Sequence, residues 1–256
     1  MADFVKRNAA APDGFFALEA AGLRWLADAG GVRCARVVAH DATSLTLERL
    51  VPSSPTRAAA RDFGAALAVT HDAGADAFGT GPWGRHGDGY FGPLTDPLPM
   101  SLTAHDRWGE FYAVERLRPM AAAAAPRMSP AGRAAVEQVA GLCVAGRFDD
   151  DDRPARLHGD LWSGNVMWTP DGVVLIDPAA HGGHRETDLA MLALFGCPHL
   201  DDVVAGYGAA RPLRDGWRDR IGLHQLYPLL AHVVLFGGSY AARTESVLAG
   251  VLRRFS

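Results

Sequence analysis

The spacing of apolar and polar residues divides the chain into two parts. In the first fifty residues, short runs of β-branched residues and leucine surround one amphipathic segment. This pattern predicts a strand at residues 3–7, a helix capped by Asp13, and a hairpin formed by residues 36–40 and 44–50. The Pro-Ser-Ser-Pro sequence at residues 52–55 interrupts the pattern and is a candidate linker.

Beyond residue 55 the spacing is mainly helical. Helices are predicted at 56–71, 103–125 and 130–146, and over most of the chain from Glu186 onward. Residues 74–101 are rich in Gly and Pro and predict a long irregular loop, which is often functional. Two short strands, at 166–168 and 173–176, flank a Thr-Pro-Asp-Gly turn. The acidic run at 149–152 is typical of a solvated loop.

Composition limits the classes of function. The chain has 256 residues, 48% of them hydrophobic and 21% charged, with a net charge of −4, which is typical of a globular protein and argues against a nucleic-acid partner. No segment has the apolar core of a secretion signal or the length of a membrane span, so we expect a cytoplasmic protein without a membrane partner. Cys34, Cys143 and Cys197 are few and far apart, which indicates free thiols.

The densest group of polar residues is the sequence LHGDLWSGN at residues 157–165. Asp160 lies in this group with Asn165 five residues later, and a predicted hairpin returns Asp177 to the same place. One carboxylate can hold or deprotonate a hydroxyl, while the amide oxygen and the second carboxylate are hard ligands suited to Mg²⁺. These residues therefore predict phosphoryl transfer, although Asp and Asn are also common in turns.

The sequence around these residues resembles the fructosamine (ketosamine) kinase family, a branch of the kinase-like fold shared with aminoglycoside and choline phosphotransferases. The resemblance is carried by HGDLWSGN, by Asp-Pro-Ala at 177–179 and by GHRETDLAM at 183–191, and similar blocks cover most of the chain from residue 4. It implies an α+β, protein-kinase-like fold with two lobes. The amino-terminal lobe would span residues 1–51 and the mainly helical carboxy-terminal lobe residues 52–256.

The resemblance also implies roles for individual residues. Asp160 would be the catalytic base, Asn165 and Asp177 would bind Mg²⁺, and Lys6, oriented by Glu19, would contact the phosphates of ATP. Lys6 is the single lysine among 25 basic residues. The reaction would transfer a phosphoryl group from ATP to a sugar hydroxyl of a small ketosamine or glycated amine.

The same resemblance places an interlobe hinge at residues 47–50. The backbone of this segment, which contains Glu48 and Leu50, would meet the adenine of ATP. Trp162 is a candidate substrate platform, as is Trp108, although large aromatic residues are more often part of the core.

Five further polar residues have two interpretations each. His184 and Glu186, together with the nearby His181, are candidates for the substrate mouth, although an exposed loop explains them nearly as well. His158 is expected to make buried hydrogen bonds rather than titrate during catalysis. Asp188, at the start of an apolar helix, is expected to support the catalytic loop rather than bind metal.

One departure from the family pattern concerns the amino-terminal lobe. Family members have two strands and a glycine-rich turn before the lysine strand, whereas Lys6 is the sixth residue of this sequence. The expected lobe is therefore truncated and lacks this lid, and we expect the chain as written to bind MgATP weakly.

Three other functions remain open at this point. The chain could be a phosphotransferase of the aminoglycoside or choline type, or a pseudokinase that binds ligands without catalysis. It could also be a metallohydrolase that uses His158, Asp160, Asp177 and His181, although an asparagine in the set favours magnesium and nucleotide.

Overall fold

The computed structural model describes residues 3–256 and begins with a small antiparallel sheet. Its strands are β1 (Phe4–Arg7), β3 (Val37–His40) and β4 (Ser44–Leu47), in the order β1-β4-β3, with Lys6 opposite Leu45. Helix α1 (Phe15–Ala27) connects β1 to a two-residue strand β2 (Arg33–Cys34). The predicted first strand, helix and hairpin are thus confirmed.

The start of α1 differs from the prediction. Gly14, not Asp13, occupies the N-cap position, and no side chain caps the helix there. Gly14 has a φ of 77°, a left-handed conformation that glycine adopts without the steric cost of a Cβ atom. The prediction of Asp13 as the cap was therefore wrong. The sequence does not show that the helix begins one residue later, after Gly14.

Strand β2 connects the amino-terminal part of the chain to a second sheet. It pairs in parallel with β9 (Gly172–Leu175), which pairs antiparallel with β8 (Val166–Thr169). One apolar cluster consequently contains residues from both sides of the candidate linker, among them Phe16, Leu26 and Leu175. The division into lobes at residues 51 and 52 stays a prediction, and the core is continuous across it.

Helices make up most of the remaining chain. Their bounds are α2 (Arg57–Asp72), α3 (Trp108–Phe111), α4 (Arg118–Ala124), α5 (Pro130–Val144), α6 (Glu186–Leu194), α7 (Leu200–Ala210), α8 (Trp217–Phe236) and α9 (Ser239–Phe255). Thr56 caps α2 by accepting a hydrogen bond from the Ala59 N–H. Within residues 3–256, none of the helices combines the length and apolarity that crossing a bilayer requires.

The segment predicted as a helix at 103–125 is composite. It begins at Trp108 and passes through a π-helical turn, Tyr112–Leu117, before α4. Pro119, inside α4, has no N–H to donate to the Glu115 carbonyl four residues earlier, which favours a local departure from α-helical bonding.

The Gly- and Pro-rich segment 74–101 is only partly irregular. It contains a short 3₁₀ turn, Pro82–Gly84, and a hairpin of β5 (Asp88–Phe91) and β6 (Leu98–Ser101), with Tyr90 opposite Pro99. The prediction of a long loop missed this hairpin because the alternation of buried residues is short and interrupted by Pro and Gly. A second pair, β7 (Ala155–Leu157) and β10 (His181–Gly183), supports the loop that follows β7.

The acidic run 149–152 is not a solvated loop. Asp152 accepts hydrogen bonds from Arg185 Nε at 2.7 Å and Arg211 Nη2 at 3.0 Å, and Asp150 pairs with Arg214 at 2.6 Å. Between these two residues, the Asp151 side chain points to solvent and is 97% exposed. The basic partners lie more than thirty residues later in the chain, so the local sequence could not reveal this pairing.

The expectation of free thiols is confirmed for all three cysteines. Cys34 and Cys143 are buried and Cys197 is half-buried, and none is in a disulfide. Burial raises the pKa of the Cys34 and Cys143 thiols to about 12, so neither has the thiolate character of a reactive cysteine.

Candidate active site

The ammonium group of Lys6 lies at the centre of a cluster of carboxylates. Its Nζ donates to Glu19 Oε1 and Oε2 at 2.8 and 3.0 Å and to Asp177 Oδ1 at 3.0 Å. Strand β1 and helix α1 supply the first two residues, and Asp177 follows β9. The structure thus brings together residues separated by 171 positions, as the resemblance implied.

The loop after β7 is held by the carboxylate of Asp188. Asp188 accepts hydrogen bonds from the backbone N–H groups of His158 at 2.8 Å and Gly159 at 3.0 Å, and it contacts His71 Nε2 at 3.2 Å. Gly159 has a φ of 81°, and a Cβ atom there would collide with the Ala179 carbonyl. This geometry supports the expectation that Asp188 braces the loop.

His158 is fully engaged beneath the same loop. Its Nε2–H donates to the Ile176 carbonyl at 2.8 Å, and its Nδ1 accepts from the Asp160 N–H at 3.2 Å. Because one ring nitrogen donates and the other accepts, the ring is neutral. Burial lowers its pKa, in agreement with the expected hydrogen-bonding role.

Asn165 connects Asp160 to Asp177. Its Nδ2 donates to the Asp160 carbonyl at 2.8 Å, to Asp160 Oδ2 at 3.2 Å and to the Asp177 carbonyl at 3.4 Å. Asp177 has a φ of 55°, a conformation that is uncommon for residues other than glycine and is often found at functional sites. The backbone there turns the carboxylate toward Lys6.

The site combines one cation with carboxylates of different proton affinity. Burial raises the pKa of Asp160 to about 7, with Asp177 and Asp188 adding to the effect and the Asn165 hydrogen bond opposing it. Burial alone would lower the pKa of Lys6, but the carboxylates of Glu19 and Asp177 more than offset this and raise it. Lys6 is therefore charged at neutral pH, and Asp160 has the affinity of a group that can accept a proton there.

Two oxygen atoms of the site suit a hard divalent cation. No hydrogen bond among residues 3–256 engages Asn165 Oδ1, and Lys6 engages only one carboxylate oxygen of Asp177, whose side chain is 42% exposed. An amide and a carboxylate oxygen with room for further ligands are the donor set that Mg²⁺ takes with phosphates. The residues present therefore fit this metal.

The cluster opens into a cleft with a volume of about 550 Å³. Its charged and amide groups lie together, and the rest of its wall is mainly apolar. That wall contains Phe15, Leu18, Tyr90, Phe91, Leu94, Trp162, Met191, Phe195, Leu235, Phe236 and Tyr240, with His232 among them. Trp162 is 40% exposed and meets Phe195 edge-on at 6.3 Å, so it lies on the cleft as a substrate platform would.

Most of this wall was missed from the sequence. Tyr90 to Leu94 belong to the segment singled out for its Gly and Pro content, which is the one signal that pointed toward them. Phe195 directly follows α6, and His232 and Tyr240 lie in α8 and α9. In sequence all three are indistinguishable from ordinary core residues.

His184 and Glu186 do not line the cleft. Each is 2% exposed, so neither a substrate mouth nor an exposed loop describes them. The Glu186 carboxylate accepts hydrogen bonds from Arg220 Nε at 2.8 Å and Nη2 at 2.6 Å. His184 Nε2 lies 3.1 Å from Asp150 Oδ2. The sequence prediction was wrong because Arg220 and Asp150, which hold these groups inward, lie more than thirty positions away.

Two other expectations concern Trp108 and His181. Trp108 is 4% exposed and stacks on Tyr112 with ring centroids 4.9 Å apart, so it is a core residue. His181 is also buried, and its Nδ1–H donates to the Ala179 carbonyl at 2.8 Å. Within residues 3–256, two clusters of acidic residues and histidines could hold a metal ion. Neither includes His158, Asp160, Asp177 or His181, which counts against a metallohydrolase.

The hinge residues lie beyond the wall of the cleft. Glu48 Oε2 is 2.8 Å from Arg33 Nη2, and the Glu48 N–H donates to the Arg36 carbonyl at 2.9 Å. The Glu48 side chain is therefore committed to the adjacent strands. An adenine contact by residues 47–50, including Leu50, stays a prediction.

The buried histidines predict acid sensitivity of the fold. Burial lowers the pKa of His224 to about 4 and that of His181 to about 3, whereas an unfolded histidine titrates near about 6.5. Below that pH only the unfolded chain takes up these protons, so stability falls as the pH falls. We expect each group to remove about 1.4 kcal/mol of unfolding free energy per pH unit from about 6.5 to 4.5, measured by urea unfolding.

Two variants make this measurement specific. His224→Gln should reduce the pH dependence by about one proton's contribution. His86→Gln, at an exposed position, should leave the dependence unchanged. An unfolding free energy that is constant over this pH range would contradict the prediction.

Comparison with known proteins gives the family of this chain. A family model described as fructosamine kinase matches residues 2–254. The chain belongs to the fructosamine kinase family. A "Probable ketoamine kinase" of Synechocystis sp. is 34% identical to this family member, and the match covers 98% of this chain and 83% of the relative's length.

Solved structures show the same architecture. A "putative fructosamine-3-kinase" of Thermobifida fusca is 46% identical, with a TM-score of 0.90 over 98% of this chain and 85% of its own. A choline/ethanolamine kinase family protein of Mesorhizobium loti, 16% identical, has a TM-score of 0.60 over 97% of this chain and 92% of its own, and shows the fold alone. The α+β, protein-kinase-like fold predicted for this fructosamine kinase is therefore confirmed.

Proposed function

We propose that this chain transfers the terminal phosphoryl group of ATP to a sugar hydroxyl of a ketosamine. The observation that carries this proposal is the convergence of Lys6, Asp160, Asn165 and Asp177 on one cleft. The names of the relatives, which refer to ketoamine and fructosamine kinases, support the choice of acceptor. Phosphorylation of ketosamines would serve the repair of glycated amines, which is consistent with the cytoplasmic location expected from the sequence.

Lys6 would hold the phosphates of ATP, and Glu19 would hold Lys6. Both Glu19 oxygens contact the ammonium, so its position on β1 is fixed from helix α1. Kinases require the equivalent pair of lysine and glutamate to be in place for turnover. A positive charge in a partly desolvated cleft would stabilise the charge that develops on the transferred group.

Asp160 would accept or orient the proton of the attacking hydroxyl. Its carboxylate lies beside Asn165 Nδ2, and the backbone that carries it is fixed by His158. A base held in one orientation reduces the entropic cost of reaching the reactive geometry.

Asn165 and Asp177 would hold the magnesium ion that accompanies ATP. When bound, Mg²⁺ neutralises phosphate charge. The backbone of residues 47–50, including Glu48 and Leu50, would receive the adenine.

The direct test is phosphate transfer to a panel of acceptors. Fructosamines, ribulosamines, aminoglycosides and choline would be incubated with the chain and MgATP, and products followed by ³¹P NMR. We expect phosphorylated ketosamine to form, and to form far more slowly with the Asp160→Asn variant. Product with aminoglycosides or choline alone would support the phosphotransferase alternative, and ligand binding without any product would support a pseudokinase.

Substitution of Trp162 should weaken acceptor binding. The indole is on the cleft wall and partly exposed, so Trp162→Ala removes a platform for the acceptor. We expect the KM for the ketosamine to rise by about 3- to 10-fold, corresponding to the usual worth of an aromatic contact, while the KM for MgATP is unchanged. Trp83→Ala is the matched control, because Trp83 is exposed but outside the cleft wall. Equal effects of the two substitutions would contradict this role.

Among residues 3–256 no glycine-rich strand pair covers Lys6, and β1 is an edge strand of its sheet. Weak MgATP binding by the chain as printed stays a prediction, and isothermal titration showing micromolar affinity would contradict it.

A further inference from the structure

A buried arginine behind the catalytic loop has donors without protein acceptors. Arg116 is 2% exposed and lies in the π-helical turn Tyr112–Leu117. Its Nη1 donates to the carbonyls of Ser101 at 2.9 Å and Glu115 at 3.0 Å. Its Nε and Nη2 have no hydrogen-bond acceptor among residues 3–256. Buried donors of this kind are uncommon, because leaving them unpaired is costly.

Arg116 lines a small cavity of about 20 Å³. Tyr227, 7% exposed, lines the same cavity, and its hydroxyl also has no partner among the described residues. On a planar guanidinium the Nε–H and one Nη2–H bond lie side by side and form a fork that matches an anion. The cavity wall therefore offers a fork of two N–H donors and a hydroxyl.

The charge of Arg116 has no carboxylate partner within ion-pair distance among residues 3–256. Glu115, the acid next to it in sequence, contacts His105 at 3.0 Å, and the buried Glu186 is paired with Arg220. Asp188 is occupied by the catalytic loop and His71. The guanidinium lies over the rings of Phe111 and Tyr227, 4.6 and 5.6 Å from their centroids. Ring faces attract a cation but carry no net charge, so the buried guanidinium, which stays protonated, still lacks a counter-ion.

We propose that this cavity binds one monatomic anion of the halide class, held by Arg116 and Tyr227. A water molecule needs about 10 to 15 Å³, so the cavity has room for one occupant of about that size and excludes phosphate. Water would satisfy hydrogen bonds without compensating the charge, whereas a halide does both. Chloride is the member of this class that we use as the probe.

The anion would support the catalytic loop from behind. Gly159 of that loop lines the cavity, and Phe91 and Met191 contribute to both this cavity and the cleft. Arg116 and Tyr227, which would hold the anion, line this cavity and are not part of the cleft wall. Its binding does not depend on the identity of the acceptor, so failure of the kinase proposal and failure of this one are distinguishable.

Thermal unfolding in chloride tests the proposal. At constant ionic strength, replacing gluconate with chloride should raise Tm along a saturable curve, by about 2 to 4 °C for a chain of this size. Arg116→Met should abolish the chloride dependence. Arg118→Met is the matched control, since Arg118 pairs with Glu137 at the surface and should retain it. Identical Tm values in the two salts for the unsubstituted chain would overturn the proposal.

A second variant and a crystal structure keep the test decisive if Arg116→Met does not fold. Tyr227→Phe removes one donor and should shift the chloride curve to higher concentration. Crystals grown in bromide should show an anomalous peak within hydrogen-bond distance of Arg116 Nε. A water molecule there with no anomalous signal, or an unchanged chloride curve in Tyr227→Phe, would count against the assigned ligand set.

Discussion

Replacing Asp160 with asparagine should lower kcat by about 10² to 10⁴-fold, the usual contribution of a general base. The substitution keeps the size of the side chain and removes the carboxylate that faces the cleft beside Asn165. The KM for MgATP should change little, because Lys6 and Asp177 are retained. Steady-state kinetics with a ketosamine acceptor measures both quantities.

A control from the adjacent hairpin separates chemistry from folding. Asp171→Asn removes a carboxylate at an exposed position in the turn between β8 and β9 and should leave kcat unchanged. Both variants should unfold at temperatures close to that of the unsubstituted chain. An Asp160→Asn enzyme with kcat within tenfold of the original would show that Asp160 is not the base.

The second large effect is expected from Lys6→Arg, although the charge is kept. The ammonium reaches oxygens of two carboxylates at 2.8 to 3.0 Å, which suits a compact group with three donors. A guanidinium is larger and planar and cannot replace it at such a site. We expect kcat/KM for MgATP to fall by about 10² to 10³-fold, comparable to losing one donor to a developing charge.

The neighbouring Arg7→Lys makes the reciprocal exchange on the same strand. Arg7 is exposed, and adjacent residues of a strand point to opposite faces, so this variant should keep full activity. If Lys6→Arg were as active as Arg7→Lys, the single lysine of the chain would have no special role at the phosphates.

The site was predictable to the extent that its parts are local. Asp160 and Asn165 lie five residues apart in one loop, and a hairpin with a recognisable turn returns Asp177 to them. The pairing of Lys6 with Glu19 was implied by the family resemblance. Neither periodicity nor composition identifies which helix face meets β1.

The substrate wall and the support of the loop were not predictable in the same way. His184 and Glu186 look exposed in sequence but are buried by the distant partners Asp150 and Arg220. Arg116 is likewise an ordinary basic residue in sequence, and its burial in a π-helical turn follows only from packing.

The amino-acid sequence by itself determined the first strand, the hairpins β3–β4 and β8–β9, most of the helices, the polar loop and the family of this protein. Turn chemistry and apolar spacing act over a few residues, so they can be read directly from the chain. Tertiary structure alone decided which acids pair with which arginines, which aromatic residues form the cleft, and which charge is left without a counter-ion. These contacts join positions far apart in sequence, and they depend on how the helices pack rather than on any local pattern.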